Sequence, residues 1–273
     1  MHQKKLALVN DVTGYGRCSI AVALPIVSAL KVQGCILPTA ILPVHTGFHD
    51  YYLDDYTDHM TPYIESWKKN GLTFDGISTG FLGSARQIDI VLDFLRDFKG
   101  PHTLAIVDPV MGDNGQLYPS YTQEMCDEMR RLLAYADVVT PNVTEACELL
   151  NLPYRPDHDL SEADFTAMAK ALADKGPQGI ILTGIHEGPY IGNFIYDKGK
   201  MSWVRAKKVG GDRSGTGDVF TAIVSASVVR GESLEQAVQK ASDFICRVMA
   251  YTEELDLPHN AGLAFEEYLT TLK

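Results

Sequence analysis

The feature that most constrains this chain is Gly210-Gly211-Asp212-Arg213-Ser214-Gly215-Thr216-Gly217-Asp218, which runs directly into the apolar stretch Val219-Phe220-Thr221-Ala222-Ile223-Val224. Glycines without a Cβ let the backbone approach a ligand, and the apolar run predicts a helix that starts there and lies in the core. The start of a helix exposes unpaired N–H groups at the positive end of its dipole, a site for a phosphate or for the charge that develops when one is transferred. Asp218 within that turn is unsuited to holding phosphate but suited to taking a proton from an attacking hydroxyl. The plainer alternative is a loop-to-helix turn whose acid only complements the dipole. The stretch is neither a Walker A loop, since no Lys-Ser or Lys-Thr follows Gly215, nor a dinucleotide fingerprint, since Phe220 stands where a third glycine is required.

Charge and cysteine usage narrow the function classes. The 24 Lys+Arg against 35 Asp+Glu give a net charge of -11, without a run of basic residues, which disfavours nucleic acid and anionic membrane as partners. The five cysteines are odd in number and form no C-x-x-C pair, as expected of reduced structural thiols in a cytoplasmic protein. The apolar segment after Lys5 is too short for an export signal, and no apolar stretch has spanning length.

Along the chain, strand-like and helix-like patterns alternate. Residues 6–9, 36–42, 76–79, 103–107, 138–140 and 179–183 read as buried strands. Residues 191–196 and 201–209 flank a turn and read as a hairpin at the sheet edge. Helical spacing covers residues 18–34 with a kink at Pro25, and follows Ser84, Thr144, Ser161, Gly217 and Ser233. Met125, Met129, Leu132 and Leu133 mark another helix, and Ser84 with Gln87 and Ser233 with Gln236 read as capping boxes. Residues 43–52 mix aromatic and polar side chains without a period, which suggests a loop over a binding site. His45 and His49 stand four apart, but Gly47 between them argues against a helical metal pair. With no repeat or linker, the pattern predicts one α/β domain over residues 1–273, with a mainly parallel sheet covered by helices on both faces.

In such a sheet, ligands bind beyond the carboxyl ends of the strands. Asn10 and Asp11, Thr46, Asp108, Asn142 with Glu145, and Thr183 with Gly184 all follow strands and would share a rim with the 215–218 turn. Each also has an ordinary explanation: Asp108 before Pro109 as a turn former, Asn142 as a helix cap, Glu145 as a dipole partner. Together they suggest phosphoryl transfer. A cation held through Asp108 and Glu145 would bridge the phosphates, the amides of Gly215, Thr216 and Gly217 would stabilise transition-state charge, and Asp218 would be the base.

Gly215-Thr216-Gly217-Asp218, Asp108-Pro109-Val110-Met111-Gly112, Thr79-Gly80-Phe81-Leu82-Gly83-Ser84 and Pro141-Asn142-x-x-Glu145 together resemble the pyridoxal kinase family, within the ribokinase-like fold. The resemblance runs almost end to end in matching order. It implies ATP-dependent phosphorylation of the 5'-hydroxymethyl group of vitamin B6 forms, with Mg2+, in some members a monovalent cation such as K+, and a homodimer. Carried over by position, it implies Asp218 as base and Gly215, Thr216 and Gly217 as anion hole. It implies Asp108, Asp113, Asn142, Glu145, Thr183 and Gly184 at the nucleotide and cation, and Asn10, Thr46, Gly47 and Asp218 at the vitamin. Asn10 stands where the family often has serine, the residues before His45-Thr46 differ, and Phe81 replaces a frequent tyrosine. These departures bear on the preferred vitamin form, not on the transfer chemistry. Two alternatives stand beside this reading. One is a hydroxymethylpyrimidine kinase of thiamine synthesis, relatives that typically carry cysteine at the position of Asp218. The other is a vitamin sensor without catalysis, for which a base at the anion hole would be idle.

Overall fold

Strand β1 (Lys5–Tyr15) buries Leu6 and Leu8 in one hydrophobic cluster and Ala7 and Val9 in another, the period-2 alternation of a sheet covered on both sides. A computed structural model describes residues 2–272. The chain continues through α1 (Ser19–Ala29), β2 (Gln33–Val44), β3 (Asp54–Asp55), α2 (Thr57–Lys69), β4 (Gly76–Thr79), α3 (Ala85–Phe98) and β5 (Leu104–Val107). The two-residue hairpin β6 (Gly112–Asp113) and β7 (Gln116–Leu117) precedes α4 (Gln123–Met129), β8 (Val138–Val139), α5 (Val143–Leu150) and α6 (Glu162–Ala173). Then come β9 (Gly179–Glu187), β10 (Tyr190–Asp197), β11 (Lys200–Lys207), α7 (Thr216–Val229) and α8 (Leu234–Glu254).

One nine-stranded sheet has the order β11-β10-β9-β8-β5-β4-β1-β2-β3. The strands from β9 to β2 pair in parallel, whereas β10, β11 and β3 are antiparallel additions at the two edges. The mainly parallel α/β sheet and the edge hairpin are as the sequence predicts. Helices α2 to α6 pack with one cluster, centred on Phe94, Leu95, Met129 and Phe194. Helices α1, α7 and α8 pack with the other, around Ile26, Ile223 and Val248. Every residue of α7 from Val219 to Val229 is buried, as its all-round apolarity requires.

Several boundaries differ from the sequence pattern, for identifiable reasons. β1 does not stop at Asn10-Asp11. It passes a register shift between Asn10 and Val12 and stays paired with β2 up to Tyr15 and Val44, because the buried polar side chains there find partners. β9 runs past Thr183 and Gly184 to Glu187, because the hairpin partner β10 continues to pair with it. Helix α2 lies in a segment where sequence pattern predicts no element; only Thr57, Met60 and Ile64 are buried. At α3 only half of the predicted capping box forms. Ser84 Oγ accepts from the Gln87 amide, but the Gln87 side chain bonds Gly83 N, Thr39 O, Asp55 and Thr57 instead. Ser233 with Gln236 forms the full box.

Candidate active site

Gly215 is the N-cap of α7 and adopts φ +78°, with no side chain capping the helix. A Cβ at Gly215 would stand 1.8 Å from the Arg17 carbonyl oxygen, so both the turn and its close packing on the β1–α1 connection demand glycine. The Arg213 carbonyl accepts from Thr216 N at 3.4 Å and Thr216 Oγ1 at 2.9 Å, which closes the turn. Around exposed Gly217 there is open space, so the start of α7 is approachable at this residue.

Asp218, in the first turn of α7, is half-buried, and Asn10 Nδ2 donates to its Oδ1 at 3.2 Å. The same Asn10 uses its Oδ1 to accept from the amides of Asp11 at 2.9 Å and Phe81 at 2.8 Å. One side chain thereby joins β1, the Gly80–Phe81 turn and α7. Burial, aided by the nearby Asp11 charge, pushes the Asp218 carboxyl up to about 6, opposed by the Ser19 amide and Asn10. Asp11 is itself raised by burial, although Thr13 Oγ1 donates to it at 2.8 Å.

Asp108 follows β5 and is 9% exposed; Thr221 Oγ1 donates to its Oδ2 at 2.7 Å. Burial and then the Asp218 charge push Asp108 up to about 7. Asp108, Asp218, Asn10 and Thr221 line one small cavity of ≈ 20 Å³, together with Thr79, whose buried Oγ1 has no partner. Asp218 therefore faces the Asp108 side of the sheet.

Asn142 and Glu145 form a reciprocal capping box on α5: Asn142 Oδ1 accepts from Glu145 N, and Glu145 Oε2 from Asn142 N, both at 2.9 Å. Glu145 Oε1 also accepts from Met111 N at 3.2 Å, and Asn142 Nδ2 donates to Gly112 O at 2.8 Å. The pair thus fastens the segment after β5 to α5. At 4% exposure Glu145 is held well above the ordinary carboxyl range by burial and by Asp108. Thr183 bridges to Asn142 beside the sheet, and Gly184 (φ +70°) is exposed with open space around it.

The remaining predicted positions are more peripheral. Asp113 is exposed on the β6–β7 turn and accepts from the Asn114 amide at 2.8 Å, a use internal to the turn. Thr46 and Gly47 are exposed on the loop after β2, and a Cβ at Gly47 would lie 3.8 Å from Ser214 Oγ, so this loop borders the turn at α7. His45 and His49 do not pair. His45 is buried, accepting from Gly47 N on Nδ1 at 3.1 Å and meeting Asn260 O through Nε2 at 2.8 Å, whereas His49 is exposed. Among the described residues, no group of three or more His, Cys, Asp or Glu is arranged to hold a metal ion. All five cysteines are free.

The family model for phosphomethylpyrimidine kinase matches residues 22–263. The chain belongs to this family. As a kinase of this group, which includes hydroxymethylpyrimidine and pyridoxal kinases, it is 29% identical to the hydroxymethylpyrimidine/phosphomethylpyrimidine kinase of Haemophilus influenzae, covering 70% of this chain and 71% of the relative. Among solved structures, a Bacteroides thetaiotaomicron protein assigned as a phosphomethylpyrimidine kinase and crystallised with pyridoxal shares 39% identity and a TM-score of 0.94. The match covers 99% of this kinase and 96% of that chain. Pyridoxal kinase from Lactobacillus plantarum shares 26% identity and a TM-score of 0.91, covering 99% and 97%. Among the described residues, no helix of the kinase is long and apolar enough to cross a membrane.

Sequence pattern misses three residues of the candidate site. Thr221 holds Asp108, and its place three residues after Asp218, on the same face of α7, is a usable signal. Tyr118, 41% exposed, has its phenol raised by partial burial and by the charges of Glu145, Asp113, Asp108 and Asp218; nothing in its local sequence announces this. Ser19 has φ +54°, a strained start to α1, and its amide lowers the Asp218 pKa.

Proposed function

We propose that the kinase transfers the γ-phosphoryl group of ATP to the 5'-hydroxymethyl group of pyridoxal, pyridoxine or pyridoxamine, with Asp218 as general base. The observation that carries this reading is the Asp218 carboxylate, pinned by Asn10 at the uncapped start of α7 and tuned to about 6. A base in that range is mostly ionised at neutral pH yet still basic enough to accept a proton. The acceptor hydroxyl gives its proton to Asp218 while its oxygen forms a bond to the γ-phosphorus and the bond to the β-phosphate oxygen breaks. The amides from Gly215 to Gly217 meet the charge of the transferring group. Asn10, Thr46 and Gly47 border the vitamin; Asn142, Thr183, Gly184 and Asp113 border the nucleotide.

Asp108 and Glu145 would hold a Mg2+ ion through its water shell, because both Glu145 oxygens already accept backbone amides and among the described residues no direct cage is built. Bound there with ATP, the ion would supply charge neutralisation, which a chain of net charge -11 does not offer from its own surface. Support for a B6 substrate comes from the 39%-identical relative crystallised with pyridoxal and from aspartate at position 218.

A second reading, phosphorylation of hydroxymethylpyrimidine, is favoured by the Haemophilus relative and the family description. ATP consumption by the purified kinase with the three B6 forms and hydroxymethylpyrimidine, side by side, separates the two. A higher kcat/KM for a B6 form supports the proposal, and a higher value for the pyrimidine overturns it.

A further inference from the structure

The Arg213 guanidinium lies under the anion-hole turn, its side chain only 3% exposed. Its Nε and Nη2 donate to Glu253 Oε1 near the end of α8 at 3.1 and 2.9 Å, and its Nη1 donates to the carbonyls of Leu257 at 2.9 Å and Pro258 at 3.2 Å. The same residue's carbonyl closes the turn onto Thr216. The segment that receives Arg213, residues 257–262, is tied to the site at further points. Asn260 O meets His45 Nε2, Ala261 O accepts from Arg17 Nη1 at 3.0 Å, and His259 Nδ1 meets Asp212 O at 2.8 Å. A Cβ at Gly262 would press on Arg17 and on the Ser214 carbonyl.

We propose that Arg213 is a positioning residue for phosphoryl transfer: anchored on Glu253 and the 257–258 carbonyls, it fixes the backbone of residues 213–216 so that the first amides of α7 meet the transferring phosphoryl group. Turns built of Gly210, Gly211, Gly215 and Gly217 have little conformational preference of their own, so their geometry must be imposed from outside. A planar five-donor fork that reaches three separate acceptors does this better than a point charge. The inference rests on residues 215–217 being the anion hole; it does not depend on which alcohol is phosphorylated.

The test uses Arg213→Lys, Arg213→Met and Glu253→Ala in the full chain, the last removing only the carboxylate partner, which is itself 41% exposed. Two readouts are taken: kcat and KM for ATP and the best acceptor, and the affinity for ADP alone against ADP with aluminium fluoride, a mimic of the transferring group. Arg213→Met is expected to lower kcat about 10- to 100-fold with KM for the acceptor within about threefold, because displacing aligned groups by about an ångström costs rate rather than ground-state binding. Binding of ADP–aluminium fluoride should weaken at least about tenfold while ADP alone is held, with Arg213→Lys and Glu253→Ala falling between wild type and Arg213→Met. Unchanged kcat in folded variants, or equal weakening of ADP and ADP–aluminium fluoride, overturns the proposal. A preference for hydroxymethylpyrimidine over B6 would overturn the substrate assignment while leaving this contrast intact.

Discussion

Thr221 donates its hydroxyl hydrogen to Asp108 Oδ2 at 2.7 Å, three residues along α7 from Asp218. Helix α7 thus presents the proposed base and the hydroxyl that orients a second buried carboxylate on one face. Asp108 is thereby tied to the helix that carries Asp218, and the Asp218 charge adds to burial in raising the cost of ionising Asp108.

Asp218→Ala is expected to lower turnover about 10²- to 10⁴-fold while B6 binding persists, since only the proton acceptor is removed. Unchanged turnover, measured by ADP release, would remove Asp218 from the role of base.

The pH profile follows from the raised Asp218 carboxyl. Base catalysis needs the ionised form, so kcat/KM should fall as pH drops through about 6, with a slope of one on a logarithmic plot. An acid limb near pH 4 would mean that the site does not tune this group.

Asn10→Ala removes a donor to Asp218 and the acceptor for the Asp11 and Phe81 amides. Unpaired buried amides cost about 1–3 kcal/mol, and loss of the donor to the carboxylate raises its pKa. A lower midpoint in urea, together with an acid limb displaced to higher pH, is expected. Movement of that limb to lower pH would contradict the hydrogen bond.

Asp108→Asn is expected to stabilise the ligand-free protein at pH 8 more than at pH 5. The folded-state pKa of Asp108 lies above its unfolded value, so its contribution is full below about 4 and is lost as pH rises through about 7. A shift of that size corresponds to at most about 4 kcal/mol. Thermal unfolding at the two pH values checks the sign; equal gains at both would show that burial does not penalise the charge.

Glu145→Gln keeps the side chain's shape and an acceptor for one amide but removes the charge. The Mg2+ concentration for half-maximal rate should rise, by about tenfold if one charge contact to the hydrated ion is lost. An unaltered Mg2+ titration would confine Glu145 to capping α5.

Gly215-Thr216-Gly217-Asp218, the strand-length apolar runs and the helix-start signals at Asn142, Ser161 and Ser233 were legible because they are local: turn chemistry, hydrophobic period and caps act over a few residues. That locality set the α/β class, the buried α7 and the rim on which the polar residues gather. It did not set where β1 and β9 end, because Asn10 and Thr183 are polar stops by local pattern yet stay in the sheet through hydrogen bonds to distant segments, while buried Asp11 is satisfied by Thr13 within β1 itself. Nor could it reveal that Glu253 and the 257–258 carbonyls hold Arg213, or that Thr221 holds Asp108. Such contacts join residues far apart along the chain, and only the packing of α7 and α8 against one sheet brings their donors within bonding distance. Local chemistry chose the groups; desolvation in the assembled fold set their pKa values and aimed them at each other.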